Sequence, residues 1–337
     1  MAQRAGRVGG RQGAGMTRFY VGTLWLLASW ASGSAWAEEG GSGHYQPGSM
    51  ASFMDGVSPS KVFIARVNLL GYSGDASANL PIPVAGQPVA GLSADVTGLG
   101  FTFIWRPEWG SINDRWSYQM GATVPYMWST VRGNVTADVG GAPVSVRRSD
   151  SISAFGDVVL QPLMLNQKFS PDFSINYRLT IYAPTGSYEV GRLANAGKNF
   201  WTLEPTIAFM YLGQKNGREA SVFLGADFNR ENSDTDYRSG TQLHVDSTFA
   251  QHFPLGNGLA GAGLSAYWYQ QVGDDRGAGA TFGAFRARTN GVGPVLSYGG
   301  KLAGNKVLAE FKWLHEFGVE KRLEGDILFF KGMMFFQ

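Results

Sequence analysis

Phe173-Ser-Ile-Asn-Tyr-Arg-Leu-Thr-Ile-Tyr-Ala183 alternates residue by residue. Phe173, Ile175, Tyr177, Leu179, Ile181 and Ala183 fall on one side; Ser174, Asn176, Arg178, Thr180 and Tyr182 fall on the other. A period of two is the signature of a strand with two unlike faces. Its length matches the roughly 9–11 tilted residues with which a β-strand crosses a bilayer. The stretch therefore predicts a strand with an apolar face for lipid and a polar face turned inward.

The same pattern recurs on both sides of it. Trp201, Leu203, Pro205, Ile207, Phe209 and Tyr211 alternate with Thr202, Glu204 and Thr206. Ala220–Phe228, Thr241–Phe253, Trp116–Trp128 and Val307–Trp313 repeat it. Twelve such segments are expected, near 61–72, 95–108, 114–128, 152–164, 172–184, 200–212, 218–231, 239–253, 258–272, 285–298, 306–317 and 321–336. Connections at 73–94, 129–151, 185–199 and 273–284 read as long loops, and those at 110–113, 165–171, 213–217, 254–257 and 299–305 as short turns. Long outer loops alternating with short periplasmic turns are the habit of outer-membrane barrels. Trp105, Trp109, Trp116, Trp128, Trp201, Tyr211 and Trp313 lie near segment ends, where aromatic girdles form. The expected fold is all-β: a transmembrane antiparallel up-and-down β-barrel of about 12 strands, spanning 61–337.

Residues 1–37 read as a secretory signal peptide. Arg18 precedes an apolar run, Phe19–Trp30, and Ala35-Trp36-Ala37 forms a small-residue cleavage site before Glu38. Met16 is an alternative start. The run is too short for a membrane-spanning helix, which needs about 20 apolar residues. The whole chain of 337 residues has 28 basic and 26 acidic residues. Four arginines and no acid lie in 1–37, so the remainder carries 24 against 26. That balance leaves no basic excess for a nucleic-acid partner. The absence of cysteine removes disulfides, thiolate metal sites and thiol nucleophiles.

Residues 38–60 do not alternate. Gly40–Pro59, GGSGHYQPGSMASFMDGVSP, resembles the start of the outer-membrane family associated with the meta pathway of phenol degradation. The resemblance continues through Phe155-Gly156-Asp157, Gln161-Pro162, Tyr182–Pro205, Phe228–Asp246, Tyr269–Asp275 and Gly291–Tyr298. It implies a transporter-like barrel in the bacterial outer membrane, linked to aromatic catabolism and admitting small hydrophobic or aromatic compounds.

The alternation nominates Arg66, Arg115, Asp157, Arg178, Glu204, Asp227, His244, Asp246, Tyr267, Tyr269, Glu310 and Lys312 as lumen-lining. Basic residues facing lipid would cost roughly 2–4 kcal/mol at mid-membrane, so inward placement is needed whatever the function. Charges of both signs argue against strong ion selectivity. A twelve-stranded barrel is wider than side chains readily fill, since about eight strands already close around a packed interior. Residues 38–60, with His44, Tyr45, Met50, Phe53 and Met54, are the candidate plug; a periplasmic tail is the other reading. The expected partners are outer-membrane lipid and a small hydrophobic or aromatic solute, with no cofactor, metal or catalytic residue. The alternatives are a structural or adhesive barrel acting through its outer loops, and an outer-membrane hydrolase. The hydrolase reading rests on His244, Asp246 and Ser247, but Ser247 falls on the opposite face from His244.

Overall fold

Two-faced strands are stable side by side only if every edge is paired, and in lipid that requires a closed sheet. A computed structural model describes residues 39–76, 81–140, 142–283 and 286–336; the leader expected at 1–37 lies outside them. The strands are β1 (Val62–Asp75), β2 (Pro81–Val84), β3 (Gln87–Arg106), β4 (Trp116–Val139), β5 (Ala142–Phe155), β6 (Val158–Lys168) and β7 (Phe173–Ala183). They continue as β8 (Thr202–Leu212), β9 (Arg218–Asn229), β10 (Gln242–Leu255), β11 (Gly258–Gln271), β12 (Arg288–Leu302), β13 (Asn305–Glu320) and β14 (Glu324–Phe336). All pairings are antiparallel. The order is β1, β3, β4, β6 and then chain order to β14, which pairs with β1 from Phe63↔Phe336 to Asp75↔Glu324. Twelve strands close the barrel, and β2 and β5 are additions to it.

The two faces separate as the alternation requires. Phe101, Phe103, Phe249, Leu264 and Leu296 are exposed on the outside, while Asn176, Arg178, Glu204, Asp227 and Lys312 are buried inside. Trp105, Trp109, Trp128, Trp201 and Trp313 are exposed. Trp109 stacks on Tyr118 at 5.2 Å and meets Trp105 edge-on at 6.2 Å.

Two expected loops are strands instead. Residues 81–84 and 87–94 extend the first connection into β2 and β3, and 129–155 is largely a hairpin of β4 and β5. β4 is 24 residues long, more than twice what a bilayer needs. Its extension keeps an inward apolar face, where Val131 and Val135 pack with Ile82 of β2 and with Val89 and Leu92 of β3.

The expected strand 152–164 is interrupted. The same edge of β4 pairs with β5 through Tyr126–Val139 and with β6 through Trp116–Thr123. Gly156-Asp157 is the break between them. Among the described residues β5 has no strand on its other edge. The 184–201 connection lies there: Ser187 N–H donates to the Phe155 carbonyl at 3.0 Å, and Arg192 binds Asp150 at 2.9 and 3.1 Å.

Candidate functional site

Residues 39–61 run against inward-facing side chains from most strands of the barrel. The segment begins beside the 184–201 connection, where Asn232 and Tyr188 donate to Glu39 and Lys198 donates to Ser42. His44 is buried, with Nε2 2.9 Å from Asp157 Oδ2 and Nδ1 2.7 Å from Thr202 Oγ1 on β8. Its ring stacks on Tyr182 of β7 at 4.9 Å. Burial lowers the pKa of His44 against the pull of Asp157, so the neutral ring is favoured.

The next residue reaches the opposite wall. Tyr45 donates its hydroxyl to Asp246 on β10 and stacks on His244 with centroids 3.6 Å apart. Gly48 then turns the chain with φ of +81°, and a Cβ there would overlap the Leu314 side chain. Glycine is therefore required on both steric and backbone grounds. Lys312 of β13 donates to the carbonyls of Met50 at 2.6 Å and Gly48 at 3.3 Å.

A short helical turn, Phe53–Asp55, follows, capped by the Ser52 hydroxyl accepting from Met54 N–H. Phe53 N–H donates to Glu219 of β9 at 2.7 Å, and its ring meets His252 edge-on at 4.9 Å. Met54 packs among Val62, Ile64, Ile104 and Met164. Asp55 pairs with Lys331 of β14 at 2.9 Å and Arg66 of β1 at 3.3 Å, and its carbonyl accepts from Arg178 of β7. Burial alone would raise the Asp55 pKa, but Lys331, Arg66, Lys312 and Arg178 together hold it down at about 2. Ser58 N–H reaches Gln119 of β4 at 3.1 Å before the chain enters β1.

Beside this segment is a cavity of about 400 Å³. Leu70, Val96, Met127 and Phe329 give it apolar walls; Arg178 and Tyr182 bring polar groups to its edge. His44 and Met50 close one side, and Gly156-Asp157 and Gly197 border it at the break in the wall. Asp157 holds that border. It accepts from Gly186 N–H at 2.8 Å, Lys198 N–H at 2.6 Å and the His44 ring. Gly186 and Gly197 pass so closely that a Cβ on either would touch the other's backbone.

Of the lumen candidates named from the sequence, Arg66, Asp157 and Arg178 border the cavity. Glu204, Asp227, His244, Asp246, Tyr267, Tyr269, Glu310 and Lys312 are buried on the inward face but away from it. Tyr267 donates to Glu316 at 2.6 Å. Arg115 is a correction. It is exposed in the turn before β4, because the strand begins only at Trp116 and the parity of the strand does not reach back to it.

The apolar lining and the partners of Asp55 were not visible in the pattern. Leu70, Val96, Met127 and Phe329 all lie in expected strands but are not among the nominated lumen residues, which are chosen for polar or aromatic character. Lys331 carried a usable signal, as the lone charge within LFFKGMMFF. His244 is surrounded by carboxylates: Asp246 at 3.5 Å, Glu204 at 3.7 Å and Asp227 at 3.9 Å. Ser247 donates to the Ala266 carbonyl instead of meeting His244, so the hydrolase constellation does not assemble.

Residues 77–331 match the family described as "Putative MetA-pathway of phenol degradation". The chain belongs to this family. As a member of the phenol-degradation family it has the fold of an outer-membrane β-barrel. Its fold is similar to the crystal structure of an outer membrane channel from Pseudomonas putida F1, with a TM-score of 0.57 at 16% identity, covering 85% of this chain and all of that one. Weaker likenesses are the β domain of the Bordetella autotransporter BrkA (TM-score 0.44, 10% identity, 82% of this chain and 100% of that one) and a Pseudomonas aeruginosa FadL homologue (0.36, 9%, 82% and 89%). Comparison with curated proteins found no match.

Proposed function

We propose that this protein is a plugged outer-membrane channel for the passive uptake of small hydrophobic or aromatic compounds, with residues 39–61 as the plug. The observation that carries the reading is the cavity of about 400 Å³, walled by Leu70, Val96, Met127 and Phe329 and closed on one side by His44 and Met50. Much of its wall is apolar, with charged groups such as Asp55, Arg66, Arg178 and Lys331 also on its border, and a largely apolar wall suits a small apolar guest. A water-filled pore for hydrophilic solutes would present a polar lining instead. The family's link to phenol degradation supports an aromatic solute.

The test is uptake of a radiolabelled monoaromatic hydrocarbon by proteoliposomes and by cells with and without the protein. Deleting residues 39–58 should raise single-channel conductance. Uptake that is the same with and without the protein sinks the channel reading. Uptake that depends on the protein, with conductance unchanged by the deletion, sinks the plug alone.

A further inference from the structure

Glu204 on β8, Asp227 on β9 and Gln242 on β10 lie in one row across the sheet, by the registers of the two ladders. His244 sits two residues along β10, opposite Gly225. A Cβ at position 225 would clash with the imidazole ring at its Cε1 and Nε2, so glycine there lets the ring lie against β9. That orientation carries Nε2 to 3.7 Å from Glu204 Oε1 and 3.9 Å from Asp227 Oδ1. The three donor atoms all lie within 4.8 Å of one another, and all three residues are buried.

Two further observations point to a ligand at this place. Gln242 is 1% exposed, and neither its amide oxygen nor its amide nitrogen has a hydrogen-bond partner. A buried amide left unpaired on both atoms is destabilising unless something else binds it. Glu204, Asp227 and Asp246 also set three buried carboxylates around one imidazole, a donor set of the kind that holds a metal.

We propose that His244 Nε2, Glu204 Oε1 and Asp227 Oδ1 bind a divalent transition ion of the zinc class, with the Gln242 amide oxygen as the fourth donor. Bonds of about 2.0–2.2 Å to such an ion bring donors closer together than they stand here, by under about an ångström each. One imidazole with oxygen donors suits zinc better than calcium or magnesium, which take oxygen alone. Asp246 has the outer-sphere role. Its Oδ2 lies 3.5 Å from His244 Nδ1, where a carboxylate orients a ligating imidazole and fixes its tautomer. The ion pins β8, β9 and β10 together directly beneath Tyr45, which stacks on the ligand ring. Loading occurs as the barrel folds, because the site is closed once residues 39–61 are in place.

The experiment is refolding of the full chain into detergent with zinc chloride, removal of loose metal on a chelating resin, and elemental analysis of the folded, heat-modifiable band. The wild type should retain about one zinc per chain. His315→Ala, which alters an exposed histidine 63% open at its side chain, should retain the same amount. His244→Ala and the isosteric Asp227→Asn should each lose at least nine-tenths of it. With cobalt in place of zinc, a visible ligand-field band should appear in the wild type and vanish in both variants. Folded wild type that retains no zinc overturns the site, as does retention equal to that of His244→Ala or loss in His315→Ala. Should His244→Ala fail to fold, Asp227→Asn and the wild type decide the matter.

Discussion

His44 Nε2 lies 2.9 Å from Asp157 Oδ2, and the same carboxylate also accepts backbone N–H groups from Gly186 and Lys198. One side chain thus joins the N-terminal segment, the interruption between β5 and β6, and the connection that covers it. Where the ladder stops, Asp157 supplies the bonds the ladder would have made. Hydrogen bonds to a charged acceptor are worth about 1.5–3 kcal/mol each.

Asp157→Ala should therefore loosen all three elements together. The expected outcome is raised single-channel conductance and faster proteolysis within 184–201, with the barrel itself still heat-modifiable on a gel. His44→Gln should raise conductance without exposing 184–201, because Gly186 and Lys198 keep their acceptor. Equal proteolysis in the two variants would show that Asp157 does not bridge them.

Docking of the segment should weaken with acid. The pKa of docked His44 is depressed by burial below the 6.5 of a free imidazole, so the undocked state takes up the proton more readily. With a lowered folded-state pKa, the contribution is fully present above about 6.5 and is lost as pH falls below it. Conductance in planar bilayers should rise between pH 7.5 and 5.5, and His44→Gln should flatten that rise. An unchanged pH profile in the variant would assign the effect to other groups.

Much of this architecture can be read directly from residues, and its gaps have physical causes. Strands such as Phe173–Ala183 are legible because lipid on one face and a polar interior on the other impose a period of two. The β4–β5 extension is hard to read because Gly133, Gly140 and Gly141 and the polar run Arg147–Asp150 weaken a pattern that only Val131 and Val135 carry, packed on Val89 and Leu92. The inward charges Arg178, Glu204 and Lys312 follow from parity, since facing lipid is costly. Their partners do not. Nothing local joins Asp55 to Lys331, which is 276 positions away. The cavity was hidden for another reason: Leu70 shares the parity of Arg66 and Phe329 that of Lys331, but an apolar side chain on the inward face gives no sign that it lines a cavity.

Asp55 is the second anchor. Lys331 and Arg66 both lean on its carboxylate, and all three are removed from bulk water. Breaking a buried pair by removing one partner costs about 3–5 kcal/mol, because the remaining charge stays buried. Asp55→Asn should lower the urea midpoint and open the channel. Asp55→Asn combined with Arg66→Met should recover part of the stability by removing the charge left behind on Arg66, since Lys331 keeps Glu310 at 3.4 Å. Additive losses in the double variant would show that the two residues act independently.

The cavity itself gives the prediction closest to function. Met127 lines it from β4, and its thioether chain adapts to an apolar guest. Met127→Trp should fill part of the roughly 400 Å³ and reduce uptake of a monoaromatic hydrocarbon several-fold. Leu70→Ala should enlarge the same space and shift preference toward bulkier aromatics. Neither change touches Asp157, Asp55 or His44, so ionic conductance and heat modifiability should stay at wild-type levels. Parallel loss of uptake and conductance in Met127→Trp would mean that ions and hydrophobic solutes share one path. Uptake unaffected by either change would place the solute route elsewhere in the barrel.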